Sequence, residues 1–341
     1  MKIGLAGYQG SGKSTLFEWL TGVRPDPAQA HAGQAAMATV PDDRVEPLCA
    51  IYHPKKITLA ALELVDTPGL SRAHEGNPAR LGLIREASSL IMVVPAFQGS
   101  EPRQDLASFE EDLLLADLEI VTGRVERLRE SVKKPRPNRE QELIELAALE
   151  PLLATLESGQ PVGSSMNDEQ LKATRSFRLL TEKPKLIVVN LTDDEDDMEK
   201  YAGLAAEGQR VIGVRLGLEL ELARMSPEDR ADFEREMGLT GSRRDELIKT
   251  ILDVSGQFLY FTAGDKEVRT WMLRQGGSAL EAAADIHSDL ARGFIRAETM
   301  HCDDLIRLGS EREVKAQHLV RQEAKDYVVK DGDILHIRFS V

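Results

Sequence analysis

The chain is predicted to be an α/β protein with an inserted α-helical hairpin and a smaller mixed domain at its end. Three features point there. Short apolar runs alternate with amphipathic stretches in the first part of the chain, the pattern of buried parallel strands alternating with helices. Leucine-rich stretches follow, in which apolar residues recur at alternating steps of four and three, the period of paired helices. Near the end the step falls to two, that of a strand with one buried face. A length of 341 residues allows two or three domains. With 42% hydrophobic, 29% charged and 5% aromatic residues, the composition excludes collagen-like and disordered classes.

Lys2–Ala6, Leu59–Val65, Leu90–Val94 and Leu186–Val189 read as strands, and Ser14–Leu20 and Asn77–Ala87 as helices between them. Arg210–Val214 reads as a further strand of the same sheet. Leu114, Leu118, Val121, Val125 and Leu128 mark one arm helix; Leu143, Leu146, Leu149, Leu153 and Leu156 mark the other, after a break at Pro135 and Pro137. Ser158–Pro161 ends the hairpin. The expected division is therefore a split domain at 1–104 and 184–275, an arm at 105–183 and a closing domain at 276–341. The last is expected to finish on a hairpin of Asp326–Val329, a turn at Lys330–Asp333, and Ile334–Val341 with Leu335, Ile337, Phe339 and Val341 on one face.

A net charge of −14 argues against an indiscriminate nucleic-acid binder, so no DNA specificity is expected and any RNA contact must be local. Cys49 and Cys302 cannot build a disulfide framework and fit no zinc spacing; both read as reduced core thiols. Neither a signal peptide at Met1–Gly7 nor a long apolar run is visible, and a cytoplasmic protein without a membrane span is expected.

Gly7-Tyr8-Gln9-Gly10-Ser11-Gly12-Lys13-Ser14 matches G-x-x-x-x-G-K-[ST] between an expected strand and an expected helix. Such a loop curls its backbone N–H groups around phosphate oxygens, and the following helix adds its positive end. Gly7, Gln9, Gly10, Ser11, Gly12, Lys13, Ser14 and Thr15 are the expected nucleotide contacts, with Lys13 bridging the β- and γ-phosphates and the Ser14 hydroxyl on Mg2+. An ordinary glycine turn is the plainer alternative. Asp66-Thr67-Pro68-Gly69 then delivers Asp66 to the Mg2+ through water and the Gly69 N–H to the γ-phosphate, making Lys13 and Gly69 the catalytic candidates. Asn190, Leu191 and Asp193 end a strand where N-K-x-D would read the base, with Leu191 in place of the lysine. An aspartate can accept both guanine N1–H and N2–H. Asp193 also opens the acidic run to Asp197, so a plain solvated loop is the alternative to a base contact.

Together with Glu111–Leu118, Tyr260–Arg269, His287–Glu298 and Lys325–His336, these motifs resemble the YchF branch of the Obg-like translation-factor GTPases along nearly the whole chain. The resemblance implies a P-loop NTPase G domain, an inserted helical arm, a terminal β-grasp (TGS) domain and nucleotide-dependent association with the ribosome. It also implies ATP hydrolysed in preference to GTP by many members, whereas Asp193 favours GTP; the choice stays open. The chain departs from the family at several points. Ala30 stands where the switch I threonine is expected, and Phe97–Pro102 is a shortened loop without the family's histidine. Arg215 and Leu216 replace the Ser-Ala that supports the base, whereas Leu70 after Gly69, where Ras-like enzymes carry glutamine, is normal for the family.

Arg124, Arg127, Arg129, Lys133, Lys134, Arg136 and Arg139, opposed only by Glu126 and Glu130, concentrate positive charge at the arm's end. Lys133, Lys134, Arg136 and Arg139, with the TGS domain, are the candidate contacts to ribosomal RNA; a solvated helix tip is the alternative. His31, His53 and His74 show no metal-ligand spacing, and His287 and His336 read as structural parts of the last domain. Two functions fit: a slow nucleotide-driven switch on the ribosome, or a nucleotide-sensing scaffold with negligible hydrolysis.

Overall fold

The computed structural model describes residues 1–340 except 98, 164–165, 196–198, 205–207 and 237–242. Its strands are β1 (Lys2–Ala6), β2 (Gln34–Thr39), β3 (Lys56–Thr58), β4 (Ala61–Asp66), β5 (Ser89–Ala96) and β6 (Lys185–Leu191). They continue as β7 (Arg210–Val214), β8 (Gln257–Ala263), β9 (Glu267–Arg274), β10 (Phe294–His301), β11 (Arg321–Glu323) and β12 (Asp333–Phe339). Two compact units result, one of residues 1–37 and 63–241, the other of residues 38–62 and 242–341.

The first unit is built on a sheet ordered β2-β4-β1-β5-β6-β7, in which β4, β1, β5, β6 and β7 pair in parallel. The order reverses beside β1, the point where such sheets open a crevice at their carboxyl ends. The expected strands are present, although Leu59 and Ala60 lie outside β4. Ile187 and Val189 of β6 are fully buried with Met92 and Val94 of β5, which explains their near-continuous apolar runs.

One helix, Pro102–Ser131, serves both the sheet and the arm. Leu106, Phe109 and Leu113 pack with Ala6, Met92 and Val189, while Val121, Val125 and Leu128 form the arm's own core with Leu149, Leu152, Leu153 and Leu156 of the helix Arg139–Glu157. No linker separates the two regions at 104/105. Leu143, expected in the arm seam, is 40% exposed, because the first turns of its helix extend past the packed segment. At the arm's root Asp117 is fully buried and accepts from Arg85 (2.6 Å), the Leu180 and Thr181 amides (3.0 and 2.8 Å) and the Thr181 hydroxyl (2.9 Å). A buried carboxylate survives only with such full pairing.

In the second unit the sheet runs β11-β10-β12-β8-β9-β3. Strands β8 and β9, expected in the split domain, form an antiparallel hairpin here, and β12 lies between β8, parallel to it, and β10, antiparallel to it. An apolar strand reads the same whichever sheet it joins, so the sequence pattern could not assign them. The expected terminal hairpin is absent: Val328 makes only an isolated bridge to Ser278, and the turn Lys330–Asp333 leads from it into β12. Of the face expected along β12, Leu335 is buried, Ile337 half-buried and Phe339 47% exposed; Val341 lies outside the described residues. Cys302 is fully buried and burial raises its thiol pKa, whereas Cys49 is only half-buried against the same cluster.

Candidate functional site

The loop from Gly7 to Gly12 joins β1 to the helix Lys13–Thr21, and its turns depend on left-handed backbone at Gly10 (φ 79°) and Gly12 (φ 103°). Close packing adds a second requirement. A Cβ on Gly7 would stand 2.5 Å from the Val93 carbonyl oxygen, and one on Gly12 2.4 Å from Asn190 Nδ2. No side chain caps the helix at Gly12. Its positive end and first amides therefore answer to the loop alone.

Lys13 is buried, and its Nζ donates to the Tyr8 carbonyl at 2.8 Å. Burial pushes the Lys13 pKa down to about 8 against the pull of Asp66. A polyanion relieves that penalty. Ser14 Oγ donates to Asp66 Oδ2 at 2.7 Å, bringing together the two residues that the sequence assigns to a metal. Burial raises the Asp66 carboxyl pKa, opposed by the Ser14 hydroxyl and Lys13. Asp66 Oδ1 and Ser11 Oγ are buried with no hydrogen-bond partner, so this end of the site holds polar atoms that a hydrated cation and a phosphate can satisfy. One carboxylate and one hydroxyl, with substrate oxygens and water, is a donor set suited to Mg2+. Thr15, the last expected contact, is half-buried one residue further along the helix.

The segment after β4 is laced to this loop. Thr67 Oγ1 donates to the Leu5 carbonyl (2.6 Å), the Leu70 amide to the Gly7 carbonyl (3.1 Å) and the Gln9 amide to the Leu70 carbonyl (3.0 Å). Gly69 lies so close that a Cβ there would be 2.7 Å from Lys13 Nζ and 2.8 Å from the Gln9 nitrogen. Leu70 is fully buried in the sheet core and presents nothing polar to the site. Ala30 and His31 lie exposed after the short turn Pro27–Gln29.

At the other end, Asn190 Nδ2 donates to the Ser11 carbonyl at 3.1 Å, bracing the loop, and Leu191 is buried in the core. Asp193 is exposed, with Oδ1 accepting from the Leu218 amide at 3.3 Å at the start of the helix Leu216–Arg224. Arg215 is buried and donates to the Glu195 carbonyl at 3.0 Å, while Leu216 is fully buried. Asp196 and Asp197 of the acidic run lie outside the described residues.

Sequence reasoning missed a polar cluster beside the loop. Asp112, almost buried, accepts from the Tyr8 hydroxyl at 3.0 Å and lies 3.2 Å from His74 Nδ1. Arg72 stacks on the Tyr8 ring (4.8 Å to its centroid) and pairs with Asp105 at 2.7 Å. These residues, with Gln9 and Gly10, line a cavity of about 800 Å³. The signal was present, because Asp112 and Asp117 are carboxylates set in a leucine run. On the arm, Lys133, Lys134, Arg136 and Arg139 are all exposed. Arg124 and Arg129 pair with Glu145 and Glu150 across the hairpin, and Lys133 with Glu130.

Two family models match the chain: one described as 50S ribosome-binding GTPase over residues 2–122, and YchF-GTPase_C, described as a protein of unknown function (DUF933), over residues 258–340. The Bacillus subtilis protein named "Ribosome-binding ATPase YchF" is 34% identical over 99% of both chains. "Obg-like ATPase 1" of Oryza sativa subsp. japonica is 35% identical over 100% of this chain and 92% of its own. Among solved structures, the Schizosaccharomyces pombe YchF GTPase superposes with a TM-score of 0.86 at 27% identity, over 99% of this chain and 97% of that one.

Proposed function

The chain belongs to the YchF family, and from that membership we propose a slow, Mg2+-dependent nucleoside triphosphatase that works on the ribosome. The observation that carries the reading is the phosphate end of the site: Lys13 buried beside a braced glycine loop, with Ser14 and Asp66 joined and Asp66 Oδ1 without a partner. Gly7, Gln9, Gly10, Ser11, Gly12, Lys13, Ser14 and Thr15 cradle the phosphates; Ser14 directly and Asp66 through water would hold a Mg2+, which would supply charge neutralisation on the phosphates. The Gly69 N–H faces the γ-phosphate. Base selection is weak, because Asp193 is engaged with a helix start and Asn190 with the loop.

Ribosome association rests on the relatives' printed names and on the exposed arm cations Lys133, Lys134, Arg136 and Arg139. The second unit, with its hairpin, helix and inserted parallel strand, acts as a TGS-type β-grasp module that also contacts the ribosome. No helix among the described residues is long and apolar enough to cross a membrane; a cytoplasmic site of action is part of the proposal. A ribosome co-sedimentation series in rising salt tests the partner. Replacing the four arm cations with glutamine is expected to weaken binding and flatten its salt slope; equal binding at every salt concentration would contradict the arm's role. A scaffold with negligible hydrolysis is the second reading, favoured by the exposed Ala30 in place of the switch I threonine and by the shortened loop Phe97–Pro102. Single-turnover assay of purified protein separates the two: a rate on the order of 10⁻⁴ to 10⁻³ per second supports the enzyme, and bound nucleotide recovered intact supports the scaffold.

A further inference from the structure

We propose that His74 is the catalytic residue that holds the attacking water, and that Asp112 is the positioning residue that aims its ring. The inference rests on the triphosphatase reading. Leu70 cannot orient water because its side chain is fully buried in the core. His74 is 70% exposed, yet its Nδ1 lies 3.2 Å from Asp112 Oδ1. That pairing puts the ring proton on Nδ1 and leaves Nε2 as an acceptor, the tautomer inferred from the hydrogen bond. A carboxylate fixing an imidazole in this sense is the orienting half of a hydrolytic triad.

The pair is tied to the phosphate loop itself. Asp112 uses its other oxygen to accept from Tyr8, the second residue of that loop, and Tyr8 meets the Phe109 ring edge-on at 5.5 Å on the same helix as Asp112. His74 and Asp112 share the wall of the 800 Å³ cavity with Gln9 and Gly10, and Gly69, where the γ-phosphate is expected, packs against Gln9. The turn that carries His74 is pre-set. Asn77 accepts from the Ser71 amide (2.8 Å) and donates to its carbonyl (3.0 Å), while the His74 amide donates to the same carbonyl at 3.0 Å. His74 itself adopts φ 62°, the left-handed backbone that this turn sets and that His53 and His318 also take elsewhere in the chain.

In the step, the water oxygen forms a bond to the γ-phosphorus, and the bond from that phosphorus to the β–γ bridging oxygen breaks, leaving its electron pair on the diphosphate. One water proton leaves through Nε2 to solvent, giving nucleoside diphosphate and inorganic phosphate. The test is single-turnover hydrolysis of ATP and GTP by the full chain, with nucleotide affinity measured in parallel. His74→Ala is expected to slow hydrolysis by about 10²-fold, the usual contribution of a positioned acid–base group, with affinity unchanged and part of the rate restored by added imidazole. In an Asp112→Asn background the same substitution should cost much less, since the pair acts as a unit. His336→Ala, an exposed histidine of the second unit, should change nothing. A His74→Ala protein that binds nucleotide and hydrolyses it at the wild-type rate overturns the proposal. So does a slow variant with weakened affinity and no response to imidazole, the mark of a structural residue. Wild-type protein that binds no nucleotide overturns the parent reading instead.

Discussion

The phosphate end and the base end of the site are built differently. At the proposed phosphate end the loop closes through Gln9 and Gly7 onto Leu70, Lys13 is buried and Ser14 meets Asp66, while Ser11 Oγ and Asp66 Oδ1 keep no partner. At the base end the side chains are occupied elsewhere, Asn190 with Ser11, Asp193 with the Leu218 amide and Arg215 with the Glu195 carbonyl. The contrast teaches that, on the proposed function, affinity would come from backbone amides and one buried cation, which are blind to the base. The groups expected to read nucleotide identity are partly assigned by the fold to its own support.

Substitutions along the site sharpen that contrast. The largest effect is expected from Lys13→Ala: loss of a charge-assisted contact in a buried setting should weaken triphosphate binding by about 3 kcal/mol, read by titration of a fluorescent nucleotide. Unchanged affinity would remove the phosphate end from the account. Asp66→Asn should come next, abolishing most of the difference in affinity between Mg2+ and EDTA buffers while leaving the metal-free value near wild type. An intermediate loss, about 1 kcal/mol for ATP and GTP alike, is expected from Asn190→Ala, because the brace on the Ser11 carbonyl is a single neutral hydrogen bond. If GTP alone suffers, Asn190 reads the base after all. Asp193→Asn should change the ATP-to-GTP ratio by no more than about 0.5 kcal/mol, since the exposed carboxylate already answers to a helix start. A tenfold swing toward ATP would restore it as a guanine contact.

How far the sequence foretold these features depended on how local their causes are. The loop from Gly7 to Ser14 was legible because its glycines, lysine and serine act within one turn of chain between a strand and a helix. Asp66 was legible for the same reason, at the end of an apolar strand. The His74–Asp112 pair was not: Asp112 stands out as a carboxylate in a leucine run, but its partner is fixed only once the helix Pro102–Ser131 packs beside the loop. In the second unit, the pairing of β12 with β8 and β10 depends on long-range register, whereas Asp326–Val329 merely looked like a strand. The arm was legible in its period but not in its origin, because a single helix carries residues for both cores.

The measurement that bears most directly on the division between the two ends is competition of ATP, GTP and inorganic tripolyphosphate against one fluorescent nucleotide on wild-type protein with Mg2+. The account predicts that all three compete, with the dissociation constants of ATP and GTP within about tenfold, or roughly 1.4 kcal/mol, of each other. A preference beyond about a hundredfold for either nucleotide, with tripolyphosphate failing to compete, would contradict it.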